Sequence, residues 1–163
     1  LGDVRNYRLN KTVDAVISLF HVASYQTEIQ DLKDYFQTAR IHLKPGGIFI
    51  FDCWYAPAVL FQKPEKRSKV VENNKLKITR DARPTLDHSK NSVSVFYDIS
   101  VFDKVSKETH CFSEEHYMRY LFMDDITDLA NQFQFKLVNA SEWLTDKEPS
   151  CETWSVYFVL EAL

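Results

Sequence analysis

The chain has 163 residues, 45% of them hydrophobic and 14% aromatic, enough to bury one core of ordinary size and too apolar for a disordered segment. Its net charge of -3, from 20 basic and 23 acidic residues spread along the length, gives no basic stripe that would follow a phosphate backbone, so no nucleic-acid partner is expected. No apolar run approaches the ~20 residues that span a bilayer, so we expect a soluble, cytoplasmic protein with no membrane partner. Cys53, Cys111 and Cys151 form neither a CxxC pair nor a disulfide framework, and read as buried free thiols in a reducing compartment.

Leu1-Gly2-Asp3-Val4 reads as the end of a strand entering a loop, without an initiator methionine, as in a fragment or trimmed product. Thr12 to Phe20, TVDAVISLF, is β-branched and apolar with little alternation, which predicts a strand covered on both faces, as in a parallel sheet. Thr27-Glu28-Ile29-Gln30 fits a capping box, and Ile29, Leu32, Phe36, Ala39 and Leu43 follow at helical spacing. Lys44-Pro45-Gly46-Gly47 is expected to stop that helix. Ile48 to Asp52, IFIFD, is a second buried strand, and strand, helix, strand makes a right-handed crossover with parallel strands. Such α/β sheets bind ligands at the carboxyl ends of their strands, which places Leu19 to Tyr25 and Asp52 to Ala56 on the functional rim.

Beyond Pro64 the texture changes. Lys69 to Glu72, Leu76 to Ala82, Ser92 to Phe102 and His110 to Phe122 carry strand formers with polar turns between them, predicting an antiparallel insert. A helix is predicted from about Asp124 to Gln134, with Ile126, Leu129, Ala130 and Phe133 inward, followed by strands at Phe135 to Asn139 and Thr153 to Leu160. The five histidines, His21, His42, His88, His110 and His116, show no ligand spacing on one helix, so no metal is expected, and His42 suits a surface role.

The succession GDVRNYRL, VDAVISLFHVASY and HLKPGGIFIFDCWY, with EEHYMRYLF and FKLVNASEWL later, resembles the second half of a class I S-adenosylmethionine-dependent methyltransferase, in particular its small-molecule, sugar N-methyltransferase-like branch. The resemblance covers essentially the whole chain. It implies an α/β fold: the later part of a Rossmann-like methyltransferase sheet over residues 1–66, an antiparallel β insert acting as a lid over 67–122, and a helix with closing strands, one of them antiparallel, over 123–163. It implies S-adenosylmethionine as cofactor and methyl transfer to a nitrogen or oxygen of a small molecule. A non-catalytic binding or assembly module of the same fold is the alternative, and a nicotinamide-dependent dehydrogenase fits the KPGG turn and antiparallel end less well.

The resemblance also assigns residues. Asp3 would accept from the exocyclic amine of adenine while the amide of Val4 donates to a ring nitrogen, and Leu19, Phe20 and His21 would lie beside the adenosine and the methionine chain. Asp3 as a solvated turn acid, and Leu19 and Phe20 as plain core, are the competing readings. Trp54 and Tyr55 would face the acceptor, since an aromatic face attracts a cation, or would serve only as lid packing. Tyr25 and His116 are the candidates for removing a proton, and Arg119 for holding substrate. His116 and Arg119 are three apart on a predicted strand and so point to opposite faces. The family's glycine-rich loop and the acid after its second strand would lie before Leu1. The chain is therefore expected to be an N-terminally truncated piece, inactive alone, whose Thr12 to Phe20 strand would pair with missing residues or with a copy of itself in a homo-oligomer.

Overall fold

The computed structural model describes residues 2–163, so the part of the predicted first strand end that falls on Leu1 lies outside the described residues. Gly2 and Asp3 are irregular and Val4–Asn6 form a turn, so no strand end is found there. The chain divides into two compact units. The first runs up to Gln62 and is completed by Met118–Leu163, and the second is Lys63–Tyr117.

In the first unit, β1 (Val13–Ser18) pairs in parallel with β2 (Leu43–Tyr55), and α1 (Ile29–Ile41) connects them. A short helix, α2 (Ala56–Gln62), follows β2 directly. The end of β6 (Thr109–Leu121) also runs parallel to β2, with Tyr120 opposite Trp54. On the other side of β2 lies β8 (Ser155–Ala162), antiparallel, and beyond it β7 (Phe135–Glu142), also antiparallel. The helix α3 (Met123–Gln132) precedes β7. Thus the sheet is mixed, as the sequence led us to expect.

Strand alternation explains the core. Phe49, Phe51 and Cys53 of β2 and Val156, Phe158 and Leu160 of β8 point to one face, where Leu32, Tyr35 and Phe36 of α1 and Ile126, Leu129 and Ala130 of α3 complete the buried cluster. Phe36 meets Phe49 and Phe51 edge-on, with ring centroids 5.7 and 5.4 Å apart. Ile50, Asp52 and Trp54 occupy the opposite face. β1 is not covered on both faces as expected: Ile17, opposite Ile50, is 61% exposed, because the core and the helices lie on the side of Val16 and Phe49.

Three local expectations are corrected. The capping box at Thr27 does not form: Glu28 is the N-cap of α1 and makes no side-chain cap, although its carbonyl accepts from the N–H of Leu32. The helix ends before KPGG, with His42 as its C-cap. KPGG instead forms an irregularity within β2, since Val13 faces Leu43 while Ala15 faces Ile48, and Gly46 takes a φ of 76°. His42 is buried, not on the surface; its Nε2 accepts from the N–H of Leu9 at 2.7 Å, which leaves Nδ1 as the donor to the carbonyl of Thr38, also at 2.7 Å. α3 is better closed, because the Asp125 carboxylate accepts from the N–H of Phe122 at 2.9 Å.

The second unit is an antiparallel arrangement of β3 (Arg67–Glu72), β4 (Leu76–Asp87), β5 (Ser92–Asp103) and the first part of β6. Arg80 lies over the ring of Tyr97 and Arg83 over that of Phe96, each 4.8 Å from the centroid. Of the cysteines, Cys53 is buried, whereas Cys111 and Cys151 are exposed, which corrects the expectation of three buried thiols. Among the described residues no helix is long and apolar enough to cross a membrane.

Candidate functional site

Because β1 and β2 are parallel, with Ser18 beside Phe51, their carboxyl ends open on the same edge of the sheet. The chain leaves β1 through Leu19, Phe20 and His21, and the last two take φ angles of 65° and 62°. Each costs a non-glycine residue on the order of 1–3 kcal/mol and persists only where the surroundings fix the turn. Here they do. Asp52, 1% exposed, accepts from the N–H of His21 at 3.1 Å through Oδ1, and its Oδ2 lies 3.3 Å from Nε2 of the same histidine. Ser155 Oγ of β8 is 3.0 Å from that ring nitrogen.

Three further ties hold the following turn, which includes a single helical turn at Ala23–Tyr25. The N–H of Trp54 donates to Ser24 Oγ at 2.9 Å, the Gln26 amide donates to the carbonyl of Val22, and Arg119 Nη1 donates to the carbonyl of Thr27 at 2.9 Å. Burial holds the His21 ring below the usual imidazole range, with the Asp52 carboxylate pulling the other way. The ring is therefore mainly neutral at pH 7.

The loop before β1 is fixed independently. Asp3 accepts from the N–H, Nε and Nη2 of Arg5, and Arg5 Nη1 reaches Asp31 of α1 at 2.9 Å. The hydrogen bonds from Arg5 lower the Asp3 carboxyl to about 2, so it is ionised at neutral pH. Arg5 Nε reaches Oδ2 as well, at 3.2 Å, so each carboxylate oxygen accepts twice and a further donor would have to displace one contact from Arg5. Asp3 and Val4 line a cleft of about 400 Å³ together with Tyr7, Ile17 and Tyr35. Leu19 lines a different cleft, of about 390 Å³, with Ile50, Leu144 and Tyr157. Ile17 belongs to both, and the two clefts keep Leu19 apart from Asp3 and Val4.

The remaining predicted residues are distributed as follows. Phe20 is 79% exposed and free of the core, while Tyr25 is exposed on the turn. Trp54 meets Trp154 edge-on at 5.8 Å and the His21 ring at 6.4 Å. Tyr55 is buried, its N–H donates to the carbonyl of Trp154, and burial raises its phenol above the usual range. In the second unit, His116 stands 3.3 Å from Glu114 Oε2 and edge-on to Tyr97. Reading the sequence residue by residue placed Ser24 and Asp52 on the rim without a role for either, and missed Ser155. The one available signal was an acid ending the otherwise apolar IFIF run.

An ionised carboxylate beside an apolar cleft fits an adenine amine in exchange for one contact from Arg5, and the neutral His21 next to aromatic Phe20 and Trp54 fits an uncharged or cationic partner better than an anion. The residues present thus suit the nucleoside and sulfonium ends of S-adenosylmethionine.

No family model matches the sequence. A 57-residue segment is 30% identical to a dTDP-4-amino-2,3,4,6-tetradeoxy-D-glucose N,N-dimethyltransferase of Saccharopolyspora spinosa, covering 35% of this chain and 23% of that protein. The fold is similar to an S-adenosylmethionine-dependent methyltransferase from Clostridium acetobutylicum, with a TM-score of 0.82 at 22% identity, over 99% of this chain and 63% of that one. It is similar also to CalS10, an amino pentose methyltransferase of Micromonospora echinaspora solved with S-adenosylmethionine bound, with a TM-score of 0.77 at 18% identity, over 99% of this chain and 63% of that one. The chain therefore spans less than two thirds of the proteins it matches. Its fold is that of the class I S-adenosylmethionine-dependent methyltransferases.

Proposed function

We propose that the protein transfers a methyl group from S-adenosylmethionine to a small molecule, with the amino nitrogen of a sugar as the first acceptor to test. The observation that carries this reading is the meeting of His21, Asp52, Trp54 and Ser155 at the common carboxyl edge of β1 and β2, where α/β sheets hold their ligands. The relatives that bear names act on amino sugars, which favours nitrogen over oxygen.

When bound, S-adenosylmethionine supplies an electrophilic methyl on a positively charged sulfur. In this reading Asp3 takes the adenine amine in exchange for one of its contacts with Arg5, and the Val4 amide faces the ring. Leu19 lines the other cleft and so takes no part in holding the adenosine beside Asp3, while the rigid turn at Phe20 and His21 leads the chain to the carboxyl edge where the methionine end would lie. Trp54 offers its face to the acceptor's amine, and Tyr55 supports that rim from below. Arg119, tied to Thr27, contributes to the acceptor side by fixing the turn as well as by its charge. An amine attacks only when neutral, so a proton must be removed before or during transfer. Tyr25, on the first unit with the other residues of this edge, is the base candidate.

The test uses the full-length protein. Calorimetry should register binding of S-adenosylhomocysteine, and mass spectrometry of a nucleotide-linked amino sugar incubated with S-adenosylmethionine should register the gain of one methyl. Binding without transfer to amines or hydroxyls would favour the binding-module reading. Neither binding nor transfer would overturn the proposal.

A further inference from the structure

We propose that Asp52 is a positioning residue, whose buried carboxylate grips His21 at both its backbone N–H and its ring and fixes the ring as the Nε2–H tautomer, leaving Nδ1 as the acceptor. The inference uses the methyltransferase reading only for its effect on cofactor affinity, and its geometric content stands apart from it.

The groups that face the His21 ring are Asp52 from β2, Ser155 from β8 and the indole of Trp54. An ionised carboxylate only accepts, whereas a hydroxyl both donates and accepts. At 3.3 Å from Oδ2, a lone pair on Nε2 would oppose the carboxylate, while an Nε2–H is attracted to it. Ser155 Oγ, at 3.0 Å, adapts to either form, so the carboxylate decides. The other oxygen of Asp52 meets the His21 N–H, which the left-handed φ of 62° directs toward β2. One side chain therefore sets both the course of the turn and the protonated nitrogen of the ring.

Asp52 also has a reason to need His21. A carboxylate 1% exposed is costly unless polar partners meet it, and the hydrogen bond at Oδ1 and the electrostatic contact of Oδ2 with the His21 ring provide them. An apolar residue would serve the strand equally well at this position of IFIFD, since the ladder of β2 uses only its backbone. The carboxylate is explained by the turn that it holds.

The test is nitrogen-15 spectroscopy of the histidine rings in full-length protein, with S-adenosylhomocysteine calorimetry on the wild type, Asp52→Asn and Ser155→Ala. Expected are an Nε2–H ring at His21 in the neutral wild type and a His21 titration midpoint that falls in Asp52→Asn, where the attracting charge is gone. The cofactor dissociation constant should rise about tenfold in Asp52→Asn, as for a hydrogen bond to a charged group, and by less than about threefold in Ser155→Ala. An Nδ1–H ring in the wild type, or an unchanged His21 midpoint in a folded Asp52→Asn, overturns the inference. If Asp52→Asn does not fold, the wild-type tautomer and its persistence in Ser155→Ala decide. If the wild type binds no S-adenosylhomocysteine, the methyltransferase reading fails, while tautomer and midpoint still judge Asp52.

Discussion

Arg119 at the end of β6 reaches 92 residues back along the chain to the carbonyl of Thr27, just ahead of α1, with Nη1 2.9 Å from the oxygen. The Nε of the same guanidinium is buried without a protein partner. Arg119→Ala removes the one hydrogen bond and leaves a part-buried carbonyl to be resolvated, so stability should fall by about 1–3 kcal/mol in urea unfolding. An unchanged midpoint would mean that Arg119 is held for the acceptor alone.

Phe20 separates a structural from a binding role. Its side chain is 79% exposed and its φ is 65°, a conformation that glycine adopts freely. Phe20→Gly should leave thermal stability unchanged or raise it by up to about 1 kcal/mol, while affinity for S-adenosylhomocysteine falls. A loss of stability together with unchanged affinity would make Phe20 a packing residue.

Asp3 predicts a dependence on acid. Its folded carboxyl titrates at about 2, against an ordinary 3.8, so the pair with Arg5 stabilises fully above the ordinary value and is lost as pH falls through about 2. The stability gap between the wild type and Asp3→Asn should therefore shrink from pH 5 to pH 2. The pair is exposed, so the gap is small and should shrink further with added salt. A gap that widens in acid would contradict the assigned pairing.

The thiols should divide by access. Cys111 and Cys151 are exposed and should react with a maleimide in the native protein, whereas Cys53 is buried, with burial pushing its thiol far above the usual range, and should react only after unfolding. Rapid native labelling of Cys53, read by peptide mass mapping, would show that the β2 face opens readily.

Elements with strong periodicity were legible in the sequence. α1, α3, β3, β5 and β6 fall within a few residues of their predicted bounds, because each repeats one pattern over several turns or pleats, whereas β4 runs on to Asp87, five residues past its expected end at Ala82. Boundaries set by tertiary contacts were not. The TxxQ pattern at Thr27 predicted a cap, yet the carbonyl of Thr27 is taken by Arg119, and Pro45 and Gly46 sit inside a strand because the ladder of β2 absorbs them as an irregularity. Composition gave no sign that His42 would be buried, since the partner it accepts from, Leu9, is 33 residues away. The site divides in the same way. His21 was reached through the motifs around it and meets Asp52 through the predicted parallel pairing of β1 with β2, but Ser155 is joined to them only by the pairing of β2 with β8, which no local pattern encodes.

That pairing also has a consequence for how the protein is made. β8 lies between β2 and β7 although it follows both in the chain, so a nascent polypeptide that has emerged as far as Glu142 holds two strands with a vacant lane between them. Phe49 and Phe51 cannot be sealed from the side of Val156, Phe158 and Leu160 until that last strand arrives. The centre of the sheet is thus closed by residues over a hundred positions downstream of its first strand, a non-local closure that slows folding and leaves the half-built sheet open to chaperones or to pairing with neighbouring nascent chains.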